Sequence, residues 1–467
     1  MDRRIKHLAL FFMAAFLLLI IDLTYLQIFA AEKITSHPKN TRDLQSELQV
    51  PRGKIISSDG KVLAKNKRVG LNYARVYPFG NLTSAVIGFN SVNYGRTGLE
   101  QTFNGNLLGK KKVATIEDYI NQIKEERIGN DLFLTLDTRL QQAATEALGD
   151  KNGAVVVLEP KTGEILSMVT YPRYDPNNLK ENWKSLVSDP ETPLINRSTQ
   201  GLYPPGSSFK VVTSAAALET ETVTPDKVYD GPKELRVYGG RVTNYADQGF
   251  GEMPFQKALA VSCNTIFAQV GLELGAQNLV KFARKFGLNR DIPFELPVER
   301  SKIPSPRQMD KLELAWSAVG QGRILVTPLE IALVGAAIAN DGEIMRPRLV
   351  KEIRDYKGNV LDRFEDKVWV RPVSRETAQT LGFLMVKVVD EGSGRRAKIA
   401  GISVAGKTGT AEPADKKRTH AWFVGFAPAD DPQVVVAVVV EHAGVGGAIA
   451  APIAKKIMEA ALELVEN

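Results

Sequence analysis

Tyr203-Pro204-Pro205-Gly206-Ser207-Ser208-Phe209-Lys210 runs straight into Val211-Val212-Thr213-Ser214-Ala215-Ala216-Ala217-Leu218-Glu219, and the reading of this stretch decides the fold. Two prolines and a glycine make residues 203–206 unsuited to helix, whereas Phe209 to Glu219 contains no breaker and reads as an amphipathic to buried helix. Ser207 is therefore predicted at a helix N-terminus, with Lys210 one turn on and on the same face. A serine and a lysine so placed point to acyl transfer through the serine, the lysine taking the role usually given to histidine.

Two further patterns follow in order, Ser262-Cys263-Asn264 and Lys407-Thr408-Gly409. Each short pattern has a decoy in the same chain. Ser36-His37-Pro38-Lys39 and Ser58-Asp59-Gly60-Lys61 repeat the first spacing, but Pro38 and Gly60 interrupt it in polar, turn-like stretches. Ser91-Val92-Asn93 repeats the second. Lys161-Thr162-Gly163 repeats the third, yet it lies between the apolar runs 154–158 and 164–169 and reads as a hairpin turn. Lys407 instead follows Ile402-Ser403-Val404-Ala405-Gly406, which alternates as a strand.

The chemistry follows from the residue types. Lys210 must be neutral to take the Ser207 proton, and burial together with a second cation, Lys407, would lower its pKa. Ser262 could relay the proton to a leaving amine, and Asn264 could hold a substrate amide. Lys407, Thr408 and Thr410 offer charge and hydroxyls to a substrate carboxylate, and Gly409 leaves room for the substrate backbone along the strand. Backbone N–H groups of Ser207 and Thr410 would meet the oxyanion. Each piece also has a plain structural use: Ser207 as a cap, Ser262 in a turn, Lys407 at a strand end. The three in this order and context argue for a site.

The 467 residues suffice for two or more folded regions, with ordinary globular composition. A net charge of +7, dispersed and without an aromatic-basic stripe, argues against nucleic acid binding. Cys263 is the single cysteine, which rules out an intrachain disulfide and a lipoprotein anchor; with four scattered histidines, no metal or other cofactor is called for. Arg3, Arg4 and Lys6 precede a nearly unbroken apolar run from Leu8 to Ala31 that is long enough to cross a bilayer. Ile28 and Phe29 stand where a signal cleavage site needs a small residue, so residues 1–31 read as a cytoplasmic tip and uncleaved transmembrane signal anchor in the cell membrane, with the chain from Glu32 onward outside. Asp22 within the span either faces a membrane partner or reaches interfacial water.

Residues 32–131 hold few periodic apolar segments and read as a short stalk or anchor module, with a strand, Asp-Gly turn and strand over 51–64 and a charged helix near Ile116 to Arg127. From Leu132 the texture becomes dense and apolar. A helix is predicted over Thr138 to Leu148, capped by Asp137 and closed by Gly149, then strands at 153–158 and 164–170. A mostly helical section spans roughly 207–345, strands return at 402–410, 420–426 and 433–441, and a helix from about Ala451 closes the chain. Strands at both ends of residues 132–467 with helices between imply an α/β fold with a largely antiparallel sheet flanked by helices and a mostly helical subdomain.

The ordered triple and its flanks resemble the penicillin-binding proteins. Tyr203-Pro204-Pro205-Gly206, Gly406-Lys407-Thr408-Gly409-Thr410-Ala411-Glu412, the segment from His420-Ala421-Trp422 to Pro428, and Gly320-Gln321-Gly322 with Thr327-Pro328 all fit that pattern. Arg52-Gly53 with Ile55, Asp59-Gly60, Leu63-Ala64 and Gly98-Leu99-Glu100 are similar to the monofunctional, class B type. The resemblance implies the penicillin-binding transpeptidase fold and a membrane-anchored D,D-transpeptidase that crosslinks peptidoglycan stem peptides and is acylated by β-lactams. The region before residue 132 is shorter than in typical division or elongation members, similar to compact class B proteins of some Gram-positive bacteria. It leaves no room for a glycosyltransferase domain, so the resemblance implies a separate multi-span glycan polymerase of the shape, elongation, division and sporulation family as partner. A D,D-carboxypeptidase and a non-catalytic penicillin-binding member of a wall-synthesis complex stay open; the absence of a Glu-x-x-Leu-Asn segment and the form S-x-N argue against β-lactamases.

Overall fold

The structure is a computed structural model and describes residues 3–28, 47–110, 127–413 and 418–466. The chain divides into two compact units, one of residues 1–51 and 67–74, the other of residues 52–66 and 75–467. The first contains a helix over Arg3–Ile28, which is long and apolar enough to cross a membrane.

The second unit is built on a five-stranded sheet. Its strands lie in the order Ala405–Ala411, His420–Ala427, Val434–Val440, Gly153–Leu158 and Ile165–Tyr171, every neighbouring pair antiparallel. Val434 to Val440 is apolar at every position because both faces are covered. Val436 and Val438 pack with Leu140, Ala144, Ile457 and Met458 of the helices Thr138–Leu148 and Gly446–Glu466, while Val435, Ala437 and Val439 point into the other core with Ala332, Ala336, Leu381 and Met385.

Thr138–Leu148 forms as its caps dictate: Asp137 accepts from the Arg139 and Leu140 N–H groups, and Gly149 ends it at a φ of 63°. Asp59, from the decoy at Ser58, adds hydrogen bonds to Thr138 N and Oγ1. The decoy Lys161-Thr162-Gly163 does turn the hairpin between Gly153–Leu158 and Ile165–Tyr171. The decoy at Ser36, most of the polar stretch after the first helix, and the charged helix near Ile116, Arg127 apart, lie outside the described residues.

The closing helix starts at Gly446, five residues before its predicted start, and passes through Pro452. Proline cannot bond the carbonyl four residues back. That carbonyl, Ala448 O, instead accepts from the Arg396 guanidinium at 3.3 Å. The middle section also holds four short strands within residues 228–254 that a mostly helical reading missed, paired as two ribbons.

Residues 52–66 and 75–110 share the main core of the second unit. Strand Ile55–Ile56 pairs in parallel with Asp131–Leu134, itself antiparallel to Val350–Arg354, and Leu63, Val86, Phe89, Leu99 and Leu107 are buried in the same cluster as Phe209 and Val439. Glu100, fully buried, ties this part together: Arg52 Nε and Arg75 Nε each lie 2.6 Å from one of its oxygens, and Arg52 Nη1 donates to Asn104 Oδ1 at 2.6 Å. Burial alone would raise the Glu100 carboxyl, but Arg75 and Arg52 together outweigh it and hold the pKa below the ordinary value. Arg52-Gly53 and Gly98-Leu99-Glu100, remote in sequence, are thus two halves of one buried charge cluster.

Candidate active site

Ser207 lies in a single 3-10 turn over Gly206–Phe209, and the α-helix itself runs Lys210–Glu219, so the helical start is three residues later than the serine. The turn is clamped from several sides. Gly206, at a φ of 54°, donates to Gly320 O at 2.8 Å, and a Cβ there would stand 2.5 Å from Thr410 O. Trp422 Nε1 donates to Pro204 O at 3.0 Å, and Ser208 Oγ to Pro205 O at 2.7 Å. Tyr203 OH donates to Glu441 Oε1 at 2.6 Å, and that oxygen also accepts from Arg197 Nε at 2.8 Å. These bonds fix the serine before any substrate arrives.

Ser262 caps the helix Phe255–Val261 with a φ of 64°, a left-handed conformation that costs energy for a non-glycine residue and gathers at functional sites. Its hydroxyl sits between two lysines: Lys407 Nζ donates to it at 2.9 Å and Lys210 Nζ at 3.2 Å. Lys210 also donates to Ser262 O and Asn264 Oδ1, both at 2.8 Å, and Lys407 to Thr408 O at 2.9 Å. Among the described residues Ser207 Oγ makes no hydrogen bond; Lys210, one turn on, is held by the second motif. Both lysines are fully buried, with no carboxylate among these partners. Burial lowers the Lys210 pKa to about 7. Burial and then the neighbouring Lys210 push Lys407 well below the ordinary lysine value. Two ammonium groups sharing one hydroxyl repel, so near neutral pH the pair cannot stay doubly charged.

Three site residues have partners inside the protein that the sequence does not signal. Asn264 lines the cleft and is also tied within the protein: Oδ1 accepts from Lys210, and Nδ2 donates one of its two hydrogens to Thr243 O at 2.9 Å. Lys407 is no exposed cation, since it lies buried beneath the cleft. Gly409 is demanded from the enzyme's own side, because a Cβ there would stand 2.8 Å from Trp422 Cβ and 2.9 Å from Pro205 O. Its bareness lets the strand press on the serine turn.

Thr408 and Thr410 line a cleft of about 600 Å³ with Ser207, Ser262 and Asn264. Ala405–Ala411 is the edge strand of the sheet. Thr410 O accepts from Gln321 Nε2 at 3.4 Å and so points away from the neighbouring strand. In an antiparallel ladder a residue's N–H and C=O point to the same side, so the Thr410 N–H also faces the open edge, where the serine turn abuts. Sequence reasoning missed Asn244, which is buried and whose Oδ1 accepts from Asn264 N at 2.7 Å and Thr265 N at 3.1 Å. It caps the helix Asn264–Lys285 from 20 residues away, and no local pattern signals such a cap.

Residues 153–459 match the penicillin binding protein transpeptidase domain, and residues 52–131 the penicillin binding protein A dimerisation domain. The chain belongs to the penicillin-binding protein transpeptidase family. Within it the layout is that of the class B, monofunctional penicillin-binding proteins. The peptidoglycan D,D-transpeptidase PbpA of Mycolicibacterium smegmatis is 36% identical over 492 residues, covering 99% of each chain. The stage V sporulation protein D of Bacillus subtilis is 33% identical over 92% of this penicillin-binding protein and 71% of that relative. Among solved structures, the imipenem acyl-enzyme complex of penicillin-binding protein A from M. tuberculosis superposes with a TM-score of 0.83 at 34% identity, covering 89% of this chain and 99% of that one.

Proposed function

We infer that this penicillin-binding protein is a peptidoglycan D,D-transpeptidase that works through an acyl-serine at Ser207. The observation that carries the reading is the Ser262 hydroxyl held between two buried, carboxylate-free lysines in the cleft that contains Ser207. A lysine titrating at about 7 is a competent base at neutral pH, which an ordinary lysine is not.

Ser207 Oγ attacks the carbonyl carbon of the penultimate D-alanine, and its proton passes to neutral Lys210 Nζ. The oxyanion is met by the N–H groups of Ser207 and Thr410. As the C–N bond breaks, Lys210 returns the proton through Ser262 Oγ to the leaving D-alanine amine. The acceptor stem peptide's amine then attacks the ester carbonyl, gives its proton to the same relay, and Ser207 leaves with a proton restored. Lys407 holds Ser262, Asn264 orients Lys210, and the Thr408 and Thr410 hydroxyls hold the substrate carboxylate. A β-lactam follows the first half, its ring amide opening to give an acyl-serine.

The apolar Arg3–Ile28 helix behind Arg3, Arg4 and Lys6 supports a single-pass anchor with the catalytic domain outside the cytoplasm. Residues 1–31 as anchor, 32–131 as a small module and 132–467 as the transpeptidase domain is the division we propose. As the source of the glycan strands we propose a partner, a multi-span polymerase, acting beside the dimerisation and transpeptidase domains matched in this chain.

Fluorescent penicillin tests the chemistry. The wild type is expected to carry a covalent adduct and Ser207→Ala none; a wild type without adduct overturns the reading. Crosslinked rather than trimmed muropeptides from a purified reaction separate transpeptidation from D,D-carboxypeptidation.

A further inference from the structure

Between the helix Arg375–Asp390 and the short turn Arg395–Ala397 the chain makes the loop Gly392-Ser393-Gly394, which no catalytic motif includes. Ser393 Oγ lies 2.7 Å from Thr408 Oγ1, and both residues line the cleft. The loop is wedged among three elements that carry site residues. Ser393 N donates to Ala260 O at 2.9 Å, two residues before Ser262. A Cβ on Gly392 would collide with the same carbonyl, and one on Gly447, at the start of the closing helix, would collide with Ser393 O. The serine hydroxyl therefore has a fixed place.

Among the described residues lining the cleft there is no lysine or arginine, and Glu412 there is acidic. A carboxylate entering this cleft depends on hydroxyl donors over the buried lysines. Because a carboxylate only accepts, Thr408 must donate its proton to it, and Thr408 oxygen is then free to accept from Ser393. A second hydroxyl donating into the first strengthens and aims the first. We propose that Ser393 is a positioning residue for the carboxylate terminus of the donor peptide, acting through Thr408. This rests on the transpeptidase reading of the site.

The test compares acylation of the purified full chain by benzylpenicillin and by its methyl ester. Ser393→Ala is expected to lower the second-order acylation constant for the free acid roughly tenfold, the upper end of the worth of one neutral hydrogen bond, and to change that for the ester less than about twofold. Ser393→Thr restores the free-acid rate, and in a Thr408→Val background Ser393→Ala has no further effect. An equal loss on both ligands, or no loss on either, overturns the proposal while leaving the transpeptidase reading intact. A wild type acylated by neither ligand overturns that reading and this inference with it. Should Ser393→Ala melt early, Ser393→Cys keeps the volume with a weaker donor and gives the same comparison.

Discussion

At Glu100 a carboxylate lies between Arg52 and Arg75, each guanidinium Nε 2.6 Å from an oxygen; at Ser262 a neutral hydroxyl lies between Lys210 and Lys407, with Nζ atoms at 3.2 and 2.9 Å. Both clusters bury two basic side chains. In the first the charges alternate, every oxygen of the acid is matched, and the Glu100 pKa is lowered, so its ionised form is the stable one. In the second the lysines' hydrogen-bond partners are neutral, and burial drives both lysines toward their neutral form. Alternating buried charge fixes a structure, whereas like buried charge creates a base. The same burial thus has opposite outcomes, and the central group decides which.

The sharpest way to break this contrast is at Lys210. Lys210→Met is expected to slow acylation by about 10²–10⁴, the span of a lost general base, while costing less stability than Glu100→Gln, because the amine it removes has only neutral hydrogen-bond partners. A Lys210→Met protein that loses as much stability as Glu100→Gln would show that the second cluster stabilises as the first does. Glu100→Gln should behave in the reverse sense. It leaves two buried guanidinium groups without an anion, so a loss of about 3–5 kcal/mol in chemical denaturation is expected, with acylation of the still-folded protein changed less than about threefold.

The smallest effects are those of pH. Acylation should rise with pH through a midpoint near 7, because Lys210 must lose its proton to act. For stability, the folded Lys210 pKa lies below its ordinary 10.5, so between about 7 and 10.5 the unfolded chain binds more protons and stability rises with pH across that window. In Lys210→Met the slope of denaturation midpoint against pH over this range should flatten. An unchanged slope would assign the titration elsewhere.

Much of the site was readable along the chain, because its parts are local. The proline-glycine turn before Ser207, the absence of breakers after Phe209, and the Asp137 and Gly149 caps each act within a few residues. The strand Val434–Val440 was readable from its unbroken valines, although such a run does not say which faces are covered. What the chain does not signal is non-local. Asn264 is bound by Thr243 and Lys210 as well as lining the cleft. Gly409 is required bare by Pro205 O and Trp422 whatever lies along the strand. Asn244 and Ser393 carry no local signature, since their partners lie 20 and 15 residues away.

By itself the sequence determined which residues could be nucleophile, base and relay, and that helix and strand would present them, because secondary structure follows from spacing and caps. Only the tertiary structure decided that Ser262 lies between the two lysines, that the edge strand turns the Thr410 N–H toward the serine turn, and that Glu100 joins Arg52 to Arg75. Each of these rests on burial beside a distant partner, and both a charge's environment and a lysine's pKa exist only once that partner has packed in.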